Sequence, residues 1–403
     1  MSGFREYGRE KFEQGIELME NCMDLLEGVG QRPRVLVGMS GGVDSSVAVW
    51  LLKEQGYDVV GVTMKVWPQD CLSRAEDKCC GPQAIADARG VAHSLGIPHY
   101  VVDEAETFER QVIDYFTAEY KAGRTPNPCV MCNEKVKFGN LWAKAKAIGA
   151  DYIATGHYAV VEHLEDRAVL RKGVDPKKDQ SYFLFSLKQE QLRRALFPLG
   201  GIEKTEIRRI ARSLGLKTAD KADSQEICFV PGNDYKAFLK GHLGENEFQS
   251  GGLYDKHGKY LGEHEGIEMY TIGQRKGLPG GSPKPMYVVD IDPATRSVIV
   301  GEAEDLVVGE FEVDHFSWHH PDCAEQAFDC TVKIRYAHPG ASATVTPTGD
   351  GRAIVRMPVP QRAVTPGQAA VFYRGDEVLG GGWIARNRVV FTPDGSREVG
   401  AGV

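Results

Sequence analysis

No run in this 403-residue chain approaches the ~20 consecutive apolar residues that a membrane-spanning helix requires. That absence excludes an α-helical membrane protein, and no membrane partner is expected. Also missing is the basic, apolar-centred N-terminal segment of a signal or transit peptide. The chain begins instead with Glu6, Glu10, Glu13, Glu17 and Glu20, and a cytoplasmic protein is expected. Between these acids Phe12, Ile16, Met19, Met23 and Leu26 recur at helical spacing, so residues 1–32 are expected to form a helical extension that docks on the main fold. No repeat of fixed period and no low-complexity tract is present, so a repeat array is not expected. With 42% hydrophobic and 26% charged residues the composition is that of a globular chain of two or three domains. Nine cysteines is an odd number in a chain without an export signal, so a disulfide scaffold is not expected. Positive charge is in deficit overall. The net charge of −8 argues at first against a nucleic-acid partner. Between Arg171 and Lys221, however, 13 Lys/Arg stand against 6 Asp/Glu, a local surplus of 7. That surplus suits a polyanion, and on charge alone it suits a solvated basic helical face equally well.

The most informative stretch is Val35-Leu36-Val37-Gly38-Met39-Ser40-Gly41-Gly42-Val43-Asp44-Ser45-Ser46. An apolar run of strand type meets a glycine turn, and a helical pattern follows in which Ala48, Leu51 and Leu52 supply the apolar face and Gly56 the end. Glycines let several backbone N–H groups converge on one anion. Ser40, Ser45 and Ser46 add hydroxyls, and the helix N-terminus adds its positive dipole end. The Gly-Lys-Ser/Thr ending of a Walker loop is absent, so the cradle need not act on a terminal phosphate. It resembles the pyrophosphate loop of the N-type ATP pyrophosphatases, enzymes that cleave ATP between the α and β phosphates and adenylate a substrate oxygen.

Strand-like runs at 34–39, 58–66, 97–102 and 151–155 alternate with helical patterns at 83–95 and 105–121. This alternation predicts an α/β fold with a parallel, Rossmann-like sheet and ligands at the carboxyl ends of its strands. A β-rich patch at 158–173 follows, then helical segments near 188–196 and 204–214. Beyond about residue 250, Gly and Pro become frequent and short alternating strands dominate, as in Tyr287–Asp290, Ser297–Val300, Cys330–Arg335, Ala353–Met357 and Ala369–Tyr373. One or two small β domains, barrel-like, are expected there. Boundaries near 230 and 308 divide the chain into 33–230, 231–307 and 308–403.

Gly123-Arg124-Thr125-Pro126-Asn127-Pro128-Cys129-Val130-Met131-Cys132-Asn133 contains a Cys-x-x-Cys whose approach is stiffened by two prolines. Thiols at this spacing serve zinc, an iron–sulfur cluster or redox exchange. Cys228, between Ile227 and Phe229, is either a third functional thiol or a core cysteine. Cys22, Cys323 and Cys330 read as core or incidental. Cys71, Cys79 and Cys80 lie in a loop without metal-site spacing, and His319–His320 reads as a surface pair.

Several motifs occur in one order: Ser40–Ser46, Asn127-Pro128-x-x-x-Cys132-Asn133, Ala154-Thr155-Gly156-His157-Tyr158, Lys178-Asp179-Gln180-Ser181-Tyr182, Asp223-Ser224-x-x-Ile227-Cys228-Phe229 and Tyr270-Thr271-Ile272-Gly273-Gln274-Arg275. Together, over residues 33–395, they resemble the tRNA-specific 2-thiouridylases. The resemblance implies an ATP-pyrophosphatase domain, a small central β domain and a C-terminal β-barrel, and ATP-dependent conversion of the wobble uridine of tRNA to 2-thiouridine with Mg²⁺. It implies ATP contacts at Gly38, Met39, Ser40, Gly41, Gly42, Val43, Asp44, Ser45, Met64 and Gly156. It implies tRNA contacts at Asn127, Pro128, Cys129, His157, Lys178, Asp179, Gln180, Arg335, Tyr336 and Gln368. In the usual family scheme the thiol matched by Cys228 carries a persulfide that the thiol matched by Cys132 attacks, with sulfur supplied by a cysteine desulfurase relay.

The chain departs from the family at Cys129, where many members carry Asp. Cys129, Cys132 and Cys228 then form a set of three thiols, which suits a 4Fe–4S cluster with one open iron fed by free sulfide. Cluster and persulfide stand as alternatives on the sequence. Two further readings are an ATP pyrophosphatase of small molecules, such as an amidating or argininosuccinate-type synthetase, and a non-enzymatic nucleotide-dependent RNA-binding module. The cysteine pair and the C-terminal β domains argue against the first; Asp44, Ser45 and three placed thiols argue against the second.

Overall fold

The computed structural model describes residues 32–66, 81–221, 223, 227–278, 284–349, 351–385, 388–391 and 397–400. The expected N-terminal helix, Cys22, Cys71, Cys79, Cys80 and residues 224–226 lie outside the described residues. No helix among the described residues is long and apolar enough to cross a membrane. The chain divides into two compact units. The first comprises the described residues up to Glu109, Cys132–Cys228 and Asp376–Val378; the second comprises Arg110–Met131, Phe229–Gly375 and the described residues from Leu379 onward.

The first unit is built on a parallel sheet of β1 (Arg34–Gly38), β2 (Asp58–Lys65), β3 (His99–Asp103), β4 (Tyr152–Ala154) and β7 (Ala195–Leu196) in the order β3-β2-β1-β4-β7. Strands of such a sheet are covered on both faces and so read as apolar runs. Val35, Leu36, Val37, Val59 and Val60 are accordingly buried. Helices α1 (Val43–Glu54), α2 (Pro82–Leu95) and α3 (Lys204–Ser213) cover the sheet, with Val47, Ala48, Leu52, Ala88, Ile207 and Ala211 in one core. Pro82 starts α2 and Gly96, at φ 65°, ends it in the left-handed region where a side chain costs energy. The β-rich patch is an antiparallel hairpin of β5 (Ala159–His163) and β6 (Ala168–Lys172).

Residues 188–196, expected to be helical, fold otherwise. The segment 188–196 holds only a single helical turn, Gln189–Leu192, and its end extends the sheet as β7, where Ala195 and Leu196 pair with Ile153 and Ala154. The added sheet edge outweighed local helical preference, as tertiary context regularly does.

The order of strands sets the position of the site. Chain leaving β1 crosses to β2 on one side, whereas β4 and β7 lie on the other. Open α/β sheets take ligands at this change of direction, outside the carboxyl ends of the strands. Here β1 runs into Met39–Gly42 and β4 runs into Thr155–Gly156.

In the second unit, the helix Asp114–Lys121 belongs with the chain that follows residue 229 for an aromatic reason. Phe116 packs against Phe229 and Phe238 at centroid distances of 5.1 and 5.8 Å, and Tyr120 stacks on Tyr235 at 4.7 Å. Helix α4 (Tyr235–Leu243) is capped by Asp234, whose carboxylate accepts the Ala237 N–H at 3.0 Å. Strands β8 (Gly251–Asp255), β9 (Tyr260–His264), β10 (Tyr287–Asp292) and β11 (Ser297–Gly301) form a four-stranded sheet in the order β10-β11-β8-β9. Next come β12 (Val307–Trp318), β13 (Phe328–Lys333), β14 (Ala341–Pro347), β15 (Ala353–Arg362), β16 (Ala369–Arg374) and β17 (Glu377–Ile384). They close an antiparallel barrel in the order β12-β15-β14-β13-β16-β17, with β12 pairing β17, and closure removes exposed strand edges. Phe311, Val332, Val345, Val355 and Phe372 fill it. Cys323 is buried in that core and Cys330 packs against it, its thiol pushed up to about 12 by burial. His319, read from the sequence as surface, is buried at 5% exposure; the strand-end backbone N–H groups of His319 and His320 both reach the Leu379 carbonyl, which turns the pair inward.

Candidate active site

The first unit carries the glycine loop. Gly42 is the N-cap of α1 in extended conformation, and no side chain caps the helix. The N–H groups of the first turn therefore point toward any anion placed over the loop. The turn is held from within. Ser40 N–H donates to Ser45 Oγ at 3.2 Å, Ser45 Oγ donates to the Gly42 carbonyl at 3.2 Å, and Ser46 Oγ donates to the same carbonyl at 2.8 Å. Thr63 Oγ1 donates to the Met39 carbonyl at 2.9 Å, and Lys221 Nζ donates to the Gly41 carbonyl at 3.2 Å. Gly41 sits at φ 67°, and a Cβ there would stand 2.3 Å from the Ala84 carbonyl oxygen. Gly156, at the end of β4, leaves no more room: its Cβ would lie 2.9 Å from Asp44 C and Ser45 N. Gly156 therefore lets its own backbone meet that of the first turn of α1. Met64 stands near the carboxyl end of β2, half-buried.

Asp44 is the centre of an ionic network that no local pattern announced. Lys204 Nζ lies 2.7 and 2.8 Å from its two carboxylate oxygens, and the Tyr158 hydroxyl donates to Oδ1 at 2.6 Å. The same ammonium reaches Asp223 Oδ1 at 2.9 Å and sits 5.6 Å from the Tyr158 ring centroid. Asp223 also holds Arg208 Nη2 at 2.8 Å and Lys178 Nζ at 2.7 Å. Burial alone would raise the Asp223 pKa, but hydrogen bonds from Lys178 and Lys204 override it and bring the group down to about 2. Burial, and then the neighbouring Asp44 charge, push the Tyr158 hydroxyl well above its ordinary range, so it stays a donor. Lys204, Arg208 and Lys221, all within the basic surplus of 171–221, were given no place at the site by the sequence, and Tyr158 and Asp223 appeared there only as members of motifs without a role.

The other expected contacts in this unit divide by exposure. His157 is buried, bonds Thr155 Oγ1 at 2.6 Å, and is held neutral by burial and by the charge of Lys137. Asp179 is buried, and its carboxylate accepts from Gly173 N, Ser181 N and Ser181 Oγ, which fixes its own loop. Gln180 is zipped to Tyr158: its Oε1 accepts the Tyr158 N–H at 3.0 Å, and its own N–H reaches the Tyr158 carbonyl at 2.8 Å. Lys178 keeps its side chain 30% exposed. Cys132 opens the π-helical stretch Cys132–Asn140, in which Asn133 Nδ2 donates to the Phe183 carbonyl at 3.0 Å. Cys132 and Cys228 are both half-buried.

In the second unit Pro128 starts the short helix Pro128–Met131, Asn127 accepts the Val130 N–H at 3.4 Å, and Cys129 is exposed. Gln368 Nε2 donates to the carbonyls of Thr125 and Pro126, both at 3.1 Å, so a barrel residue shapes the turn that leads to Cys129. Gly367 makes the same approach, since a Cβ there would lie 2.9 Å from the Thr125 carbonyl. Arg335 and Tyr336 are exposed together, with Lys333 Nζ 5.7 Å from the Tyr336 ring centroid.

Three family models match the chain in order: a tRNA methyl transferase HUP domain over residues 33–232, a tRNA methyl transferase PRC-barrel domain over 236–302, and an aminomethyltransferase beta-barrel domain over 308–384. Over 357 residues the chain is 53% identical to a tRNA-specific 2-thiouridylase of Caldanaerobacter subterraneus subsp. tengcongensis, covering 88% of this chain and 98% of the relative. It is 51% identical to the tRNA-specific 2-thiouridylase of Geobacter metallireducens over 88% of this chain and 97% of the relative. A Clostridium botulinum relative of the same description is 48% identical over 88% of this chain and its own full length. Matched by these enzymes over 88% of its length and across nearly all of theirs, the chain belongs to the tRNA-specific 2-thiouridylase family.

Proposed function

We propose that this enzyme thiolates the wobble uridine of tRNA at C2, using ATP bound at the loop Gly38–Ser45. The observation that carries the reading is the uncapped N-terminus of α1 over a glycine turn closed by Gly156. In that arrangement the polyphosphate would lie against the first-turn N–H groups and the adenine beside Met64. The uridine O2 attacks the α-phosphorus, pyrophosphate leaves, and C2 is left carrying an adenylate, a far better leaving group than oxygen. Sulfur then adds to C2, and AMP departs with the former O2. The Asp44 carboxylate, 32% exposed in the first turn of α1 and paired with Lys204 through both oxygens, would hold Mg²⁺ where that ammonium yields. The ion would neutralise charge on the departing pyrophosphate. Among the family-matched tRNA positions, Lys178, Arg335 and Tyr336 offer exposed side chains for direct contact. Buried His157 and Asp179 act by fixing the backbone of their loops. Asn127, Pro128 and Cys129 would meet the target base.

The sulfur carrier is argued from the thiol set. Cys129, Cys132 and Cys228 are three thiols, the donor number and chemistry that a 4Fe–4S cluster with an open iron requires. Bound there, the cluster would supply an activated sulfide drawn from free sulfide. The persulfide scheme needs two thiols only: Cys132 attacks the Cys228 persulfide, sulfide is released, and the resulting disulfide takes two electrons and two protons from an external dithiol before the next turnover. The third thiol, Cys129, favours the cluster. Anaerobic purification with iron analysis, beside thiolation by Cys129→Ser, tests the choice. Activity confined to iron-loaded protein, lost in Cys129→Ser, supports the cluster. An iron-free parent with full activity overturns it.

A further inference from the structure

We propose that the ion-pair chain Lys178–Asp223–Lys204–Asp44 couples tRNA binding to nucleotide binding. The proposal rests on the reading above, in which Lys178 meets tRNA phosphate and Asp44 stands at the ATP site. Four charges lie in one unbroken series: Lys178 Nζ to Asp223 Oδ2 at 2.7 Å, Asp223 Oδ1 to Lys204 Nζ at 2.9 Å, and Lys204 Nζ to the Asp44 oxygens at 2.7 and 2.8 Å. The two ends differ in access. Lys204 is 8% exposed, so its charge has little water to turn to and must be shared between the two carboxylates. Lys178 is 30% exposed and open to an incoming phosphate.

The direction of the coupling follows from charge. A tRNA phosphate that engages Lys178 takes one cation from Asp223. Asp223 then draws more strongly on Lys204, and the hold of Lys204 on Asp44 weakens. The Asp44 oxygens become available to the cation that accompanies the nucleotide phosphates, so nucleotide binds more tightly when tRNA is present. Thermodynamic reciprocity requires tRNA to bind more tightly with nucleotide by the same factor. The backbone around Lys178 need not move, because Gln180 is tied to Tyr158 through two hydrogen bonds. Only side chains exchange partners. Asp223 is thus a positioning residue that acts through Lys204.

The test measures affinity of the full chain for an ATP analogue with a methylene bridge between the α and β phosphorus, in Mg²⁺, without tRNA and at saturating tRNA. The parent is expected to bind the analogue roughly five-fold or more tightly with tRNA, the usual lower range of such couplings. Asp223→Asn is expected to bring that ratio to about one. Lys178→Gln, at the exposed end where folding is least at risk, is expected to do the same. A ratio in either folded variant equal to that of the parent overturns the relay. A parent that binds tRNA and analogue with a ratio of one overturns the relay alone, whereas a parent that binds neither overturns the underlying reading with it.

Discussion

Replacing Gly156 by alanine inserts a methyl group 2.9 Å from the backbone of Asp44 and Ser45, atoms that cannot swing aside. The N-terminus of α1 must shift, and the Asp44 carboxylate with it. Gly156→Ala should lower nucleotide affinity at least ten-fold, measured by calorimetric titration with ATP, while circular dichroism of the folded protein changes little. Glu268 makes a different prediction. Its carboxyl is buried, its Oε2 has no hydrogen-bond partner, and burial pushes its pKa upward. A raised folded pKa means the charged form is penalised in the native state, so stability falls as pH rises from about 4.5. Glu268→Gln should melt at a higher temperature than the parent at pH 7, with the difference closing toward pH 4 in thermal scans. What could be read from single residues followed sequence proximity. The loop Gly38–Ser46 was legible because its glycines, serines and helix signals are adjacent. The pairing of Tyr158, Lys204 and Lys221 with that loop was not, because their partners in it lie 114, 160 and 180 residues away. No local spacing links such groups.

Secondary elements were legible where the apolar period was long enough. Strands β1, β2 and β3, helix α2 and the barrel strands β13, β15 and β16 fall within a few residues of the expected runs. The two-residue strand β7 was not, since two residues carry no period and exist as strand only by pairing with β4. The turn before Cys129 shows how an element is shaped from a distance. Thr125 and Pro126 present their carbonyls to Gln368, 243 and 242 residues away. Gln368→Ala removes both donors and should cost about 1–2 kcal/mol. Denaturant titration would give that figure. Thiolation at saturating tRNA should fall roughly ten-fold as the turn loosens, and unchanged thiolation would separate Gln368 from the positioning of Cys129.

A molecule of net charge −8 that acts on tRNA must concentrate its positive charge. Under the proposed reading, half-buried Lys178 in the first unit and exposed Arg335 in the second are cations expected to meet tRNA phosphate. Affinity for tRNA should therefore fall steeply between low and moderate salt, and Arg335→Ala should reduce the slope of log affinity against log salt by about one. In the proposed function the loop of the first unit activates tRNA with ATP for sulfur insertion. Purified protein, prepared without air and supplied with ATP, Mg²⁺, sulfide and unmodified tRNA, should release AMP and pyrophosphate in step with 2-thiouridine recovered from digested tRNA, and release neither without tRNA. ADP and orthophosphate as products, or 2-thiouridine formed at the parent rate by Asp44→Ala, would contradict it.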